Sequence, residues 1–130
     1  MNPNVIFLLF LLLLSACKTT KVPAESIAEE GLSAISASPT TYEGKQVDLD
    51  GRYLGFTHAE CNFPSNFLSL QLTRSDWVFK EGKWCCFVTG SLPSGLSPME
   101  QKQVPVHLRA TVRLKGEKIY LEFISATIQP

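Results

Sequence analysis

From Val104 to Val112 the chain alternates without a fault. Val104, Val106, Leu108, Ala110 and Val112 take one parity, and Pro105, His107, Arg109 and Thr111 take the other. Successive side chains of a strand point to opposite faces, so a period of two fits a half-buried strand and no helix. The same period recurs elsewhere. In Gln46 to Tyr53, Val47 and Leu49 oppose Asp48 and Asp50, with Gly51 and Gly55 interrupting as glycines do at bulges and barrel bends. Phe67 to Phe79 reads as a second, bent strand region in which Leu68, Leu70 and Leu72 alternate. Lys80 to Lys83 is a turn whose Gly82 supplies a positive φ, and Lys83 to Thr89 returns. Ser91 to Gln103, with two prolines and a glycine, is a connector with a helical turn expected at Pro98 to Gln101. Leu114 to Glu117 turns around Gly116, and Lys118 to Ile128 is the last strand, with Ile119, Leu121 and Phe123 on one face.

Ahead of the strands, Glu25 to Ser36 is predicted as a short helix. Ile27, Gly31 and Ala34 or Ile35 fall near one face, and Glu25, Glu29 and Glu30 suit its N-terminal half. Ser38-Pro39-Thr40 breaks the pattern. At 130 residues the chain is long enough for one modest core. Its 12 basic and 12 acidic residues all follow position 17, for a formal net charge of zero. A protein that neutralises phosphates carries a basic excess, so nucleic acid is not an expected partner.

Val5 to Leu14 is an unbroken apolar run. About ten residues at 1.5 Å each reach half a bilayer, which is too short to span and suits the core of a signal peptide. Leu14-Ser15-Ala16-Cys17 follows and resembles the lipobox of bacterial lipoproteins at all four positions. The resemblance implies cleavage after Ala16 and diacylglyceryl transfer to the Cys17 thiol. The stretch Met1 to Asn4 departs from the usual leader by having no Lys or Arg. Two acyl chains suffice for stable anchoring. Lys18, where an Asp tends to retain such proteins in the inner membrane, leans the expectation to the outer membrane, facing the periplasm. The expected organisation is a cleaved signal peptide (1–16), a lipidated N-terminus and tether (17–24), a short helix and connector (25–41) and a β domain (42–130).

Five strands, the first long and glycine-broken, with a connector between the third and fourth, match the order of a five-stranded Greek-key barrel, the OB-fold. The stretches Tyr42-Glu43-Gly44-Lys45-Gln46-Val47 with Gly51, Thr73 to Val78 around Ser75-Asp76-Trp77, and Phe87-Val88-Thr89-Gly90 are similar to segments of small OB-fold domains found in prokaryotic lipoproteins. The resemblance covers most of Tyr42 to Pro130 and implies a mostly β, OB-fold-like barrel with a short N-terminal helix. It does not fix an activity.

With Cys17 lipidated, Cys61, Cys85 and Cys86 remain in an oxidising compartment, where one disulfide is the default. Cys61 with Cys85 or Cys86 closes about 25 residues, worth roughly 3 kcal/mol in the chain-entropy model. Adjacent strand residues face opposite ways. Val88 is the inward residue of its stretch, which puts Cys86 inside and Cys85 outside and favours Cys61 with Cys85. His58-x-x-Cys61 with Cys85-Cys86 offers nitrogen and sulfur donors, but two cysteines on opposite faces chelate one ion poorly, so no metal, cofactor or redox role is expected.

His107 beside Arg109 is expected on a solvated strand face, becoming an anion site only with a bound ligand or a neighbouring acid. Asp48 and Asp50, spaced i, i+2, are expected to be the wet face of an edge strand. Tyr53, Arg74, Trp77, Trp84 and Phe87, with Phe79 nearby, form the candidate ligand face, because the second and third strands of OB-folds commonly bind ligands and exposed aromatics stack on bases or sugars. Cross-strand packing is the competing use of these aromatics. Arg74 and Arg52 border the same face without making a basic groove. No catalytic set is visible. The sequence points to a membrane-anchored, non-enzymatic binding or interaction module whose partner is an envelope protein or glycan. A structural envelope role comes second, and a thiol-based factor using Cys61, Cys85, Cys86 and His58 third.

Overall fold

A computed structural model describes residues 31–56 and 61–130. The expected leader, lipobox and tether, the first part of the expected helix and His58 lie outside the described residues. The elements are α1 (Leu32–Ala37), α2 (Pro39–Tyr42), β1 (Gln46–Gly55), β2 (Trp77–Glu81), β3 (Trp84–Thr89), β4 (Val104–Lys115) and β5 (Lys118–Ile128). The strands close into a barrel in the order β1-β2-β3-β5-β4, antiparallel throughout except for β3 with β5. The protein is thus mostly β, with an OB-fold-like Greek-key barrel and short helices before it.

The alternation that nominates β4 also fills the barrel. Val106, Leu108, Ala110 and Val112 are fully buried, facing Val47 and Leu49 of β1 and Ile119 and Leu121 of β5. Tyr53, Trp77, Phe79, Cys86 and Val88 complete this core. Tyr53 and Trp77 pack with ring centroids 4.9 Å apart, and each finds a carbonyl for its polar atom: Tyr53 Oη donates to Ser97 and Trp77 Nε1 to Ser91. Burying large aromatics this way leaves no orphaned polar group. Both tight hairpins carry glycine at the first loop position with φ near +60°, Gly82 between β2 and β3 and Gly116 between β4 and β5, as a type II′ turn requires.

Gly51 is required for a different reason. A Cβ there would strike the Lys80 carbonyl oxygen and the Phe79 ring, so β1 crosses β2 at a distance only glycine allows.

Of the helix expected over 25–36, residues 25–30 lie outside the described residues, and the described part is interrupted at Gly31. Helix α1 begins at Leu32, with Gly31 as N-cap at φ 81°. Leu32 and Ile35 enter the barrel core, so the helix acts as an apolar plug. Its first turn is capped in trans, the Leu32 amide donating to Glu81 Oε1 at 2.7 Å. Ser36 and Asn66 exchange two further hydrogen bonds. Ser38-Pro39-Thr40 ends this helix as expected, yet Pro39 also starts α2, because proline at the first helical turn loses no needed amide bond.

Two further expectations are corrected. Phe67 to Phe79 is not one bent strand. Only Trp77 onward joins the ladder, and Leu70 is 77% exposed. The Asp76 carboxylate accepts from the Leu72 and Thr73 amides (2.7 and 3.0 Å) and from the Thr73 hydroxyl, which bends the backbone into a turn. A short acidic side chain competing locally for backbone donors outweighs the Leu alternation. At Pro98 to Gln101 the chain makes a turn closed by Glu100 N to Ser97 O, not a helical element.

Strands β3 and β5 pair only over Val88–Leu121 and Thr89–Glu122. Below that pairing the β1–β2 loop closes the seam. Asn62 bridges to Trp84 of β3 and Phe67 to Ile119 of β5, supported by Cys85 N to Asn62 O, Ile119 N to Asn66 O and Leu68 N to Ile119 O.

Candidate functional site

The outward parity of β1, β2 and β3 carries Leu54, Val78, Cys85 and Phe87. Four such side chains open to water would be an apolar patch. Instead all four are buried, with Cys61 and Phe63 of the β1–β2 loop packed on them and the Phe63 and Phe87 rings stacked 5.0 Å apart. A disulfide between Cys61 and Cys85, with Cα atoms 5.5 Å apart, fixes the loop in place. Cys85 thus sits on the outer face, as its parity requires, but under a cover. Cys86 faces the core as a free, fully buried thiol, and burial pushes its pKa far up, which makes it inert as a nucleophile.

The aromatic ligand face drawn from the sequence is therefore not assembled. Tyr53 and Trp77 are at 0% exposure inside the barrel, Phe87 is under Phe63, and Trp84 is half-buried against the core. Arg74 stands exposed in the loop ahead of β2. Cross-strand and core packing takes up the aromatics. Of the four donors considered for a metal, Cys61 and Cys85 are bonded to each other, Cys86 faces the opposite side, and His58 is outside the described residues. Among the described residues no group of three or more His, Cys, Asp or Glu is placed to hold a metal ion.

The β1–β4 register brings together what the sequence shows only as two separate pairs. Asp48 lies opposite Arg109, and Asp50 opposite His107. Arg109 grips Asp48 with two bonds, Nε to Oδ1 at 2.9 Å and Nη2 to Oδ2 at 3.0 Å. His107 Nδ1 meets Asp50 Oδ1 at 2.7 Å, with Nε2 3.4 Å from Asp48. The hydrogen bond from Arg109 chiefly holds the Asp48 carboxyl below its usual range, and the bond to Asp50 chiefly raises His107. The neighbouring acids that the sequence reading asked for are thus present, but they bond to His107 and Arg109 themselves and leave neither cation open for an external anion. The signal for the ladder was present in the sequence: two i, i+2 pairs of opposite charge on strands that become neighbours.

Next to this ladder the outer surface opens into a depression of about 390 Å³, lined by Asp50, Gly51, Arg52, Lys80, Gln103 and Pro105, with Gly82 at its edge. Sequence reasoning noted Arg52 but did not place Lys80 beside it; only the β1–β2 register does so. Comparison with protein-family models, with curated proteins and with solved structures finds no match for the chain. Fold and surface thus have to carry the functional reading. They define a small, loop-stapled β-barrel whose open face is polar and charged.

Proposed function

We propose that the chain is a lipid-anchored envelope protein that works as a non-enzymatic binding or interaction module. It is held to the membrane, on the periplasmic face of the outer membrane, through acyl chains on Cys17, and its partner is an envelope protein or glycan. The observation that carries this reading is the staple. A disulfide on the outside of a small barrel belongs to an oxidising compartment, and the leader with its Leu14-Ser15-Ala16-Cys17 box addresses the chain to one. Two independent features of the chain thus agree on its address.

The covered aromatic face and the zero net charge argue against single-stranded nucleic acid, which OB barrels bind by stacking on open aromatics in a basic groove. What the surface offers instead, among the described residues, is recognition chemistry: paired charges and a polar depression. Replacing Cys17 with Ser removes the only thiol the lipobox supplies. The variant is expected to lose fatty-acid labelling and to move from the washed membrane fraction to the soluble fraction. Unchanged labelling and retention would contradict the anchor.

A further inference from the structure

The depression beside the charge ladder is bordered by two basic side chains. Arg52 and Lys80 are directly opposite each other across β1 and β2. Like charges in that position repel and destabilise a sheet. Along the neighbouring β4 strand three basic groups are matched: His107 to Asp50, Arg109 to Asp48, and Arg113 to Glu122. A second like-charge pair, Lys115 opposite Lys118, flanks the β4–β5 turn and borders no such depression. Among the described residues neither Arg52 nor Lys80 has a carboxylate within ion-pair distance, and the Arg52 guanidinium makes only a long 3.4 Å bond to the Gln103 carbonyl. Two cations with no acid between them therefore border one open space of about 390 Å³.

The rest of the lining narrows the chemistry. Asp50 faces the same depression, and its two bonds, from His107 and Gln129, both fall on Oδ1. Its Oδ2 accepts from no described residue, so it offers an acceptor for a donor group. Gly51 contributes only backbone to the lining, since a Cβ there would point at the Phe79 ring in the core and not into the depression. No aromatic ring lines the space. A bare anion would satisfy Arg52 and Lys80 but confront the Asp50 charge. A neutral sugar would suit Asp50 but leave both cations unmatched. A ring bearing both a carboxylate and hydroxyl groups satisfies all three: its carboxylate accepts from Arg52 and Lys80, and a hydroxyl donates to Asp50.

From this we infer that the depression is a binding site for an acidic saccharide unit, a sugar ring carrying a carboxylate, with Arg52 and Lys80 as the carboxylate clamp and Asp50 as the hydroxyl acceptor. It deepens the reading of the chain as a binding module and rests on it. The space is large enough for one such ring.

The test is a titration of the full, acylated chain in detergent with galacturonate, galactose and inorganic phosphate, followed by amide shifts of β1 and β2. Saturable shifts with galacturonate alone, weakened about tenfold or more in Arg52→Gln and in Lys80→Gln, are the expected result. Because both side chains lie on the outer face, the variants are expected to keep the native amide spectrum away from the depression. Equal binding of phosphate overturns the saccharide assignment. Equal binding of galactose, no binding at all, or binding unaffected by both substitutions overturns the site. Failure here with intact acylation and membrane retention removes this site and leaves the anchored module. Galacturonate binding by a chain that is never acylated removes the anchor and leaves the site.

Discussion

His107 shows how single residues set the pH behaviour of this barrel. Its hydrogen bond to Asp50, reinforced by both aspartates, raises its pKa above the ordinary 6.5, while partial burial works against the shift. A base whose folded pKa exceeds its unfolded one stabilises the fold below the unfolded value, and that contribution is lost as pH rises through the folded value. Asp48 has the opposite sign. Held down chiefly by its bond to Arg109, it contributes above the unfolded carboxylate pKa and is lost as pH falls through its lowered value. The ladder therefore adds most to stability between roughly pH 4 and 6.5. The effect is small, since exposed pairs are worth about 0–1 kcal/mol. A proton NMR titration is expected to place the His107 midpoint above 6.5 and to find it lowered in Asp50→Asn. A midpoint at or below 6.5, or one unmoved by the substitution, would contradict the geometry. Glu81 is a second residue with divided duties. Its carboxylate caps α1, which lowers its pKa, but desolvation is the larger effect and leaves the pKa raised.

At the level of elements, the loop from β1 to β2 is the least conventional part of the fold. It covers the apolar outer face of β2 and β3, bridges the β3–β5 seam and is locked by Cys61–Cys85. Reducing that disulfide in the intact chain is expected to lower stability by roughly 3 kcal/mol. It should also increase hydrogen exchange at Cys85, whose amide is bonded to Asn62, and dye binding to the uncovered Phe87 and Val78. Unchanged exchange and stability would show that the cover holds without the staple. The legibility of these elements in the sequence follows their chemistry. Strands β4 and β5 were readable because one face of each is buried and one wet, so burial is written as alternation. The facing of Cys85 and Cys86 followed from the same parity, but which of them Cys61 bonds did not, because Cys61 sits in a loop that could reach either. Leu68, Leu70 and Leu72 misled, because three bonds to one Asp76 carboxylate decide that segment and periodicity does not register them. The covering of Phe87 by Phe63 was not readable, since the partners are brought together by a loop whose path depends on the finished barrel. For the same reason Arg52 could be noticed while its neighbour Lys80 could not.

For the whole molecule, the proposed address and the open surface belong together. The barrel fills its interior with its own side chains, uses its β1–β2 loop to cover the face on which related architectures stack ligands, and leaves a polar, charge-bearing face open beside β1. Among the described residues no helix is long and apolar enough to cross a membrane; the attachment proposed above is through Cys17. The most direct check is the intact mass of the protein made in a bacterial host, with thiols alkylated before and after denaturation and reduction. The expected species begins at Cys17 and carries acyl chains. It takes no alkyl group while folded, one at Cys86 on unfolding, and three once Cys61–Cys85 is reduced. An unacylated chain that keeps residues 1–16, or one alkylated at Cys61 and Cys85 without reduction, would contradict the reading of an exported, lipid-anchored and disulfide-stapled module.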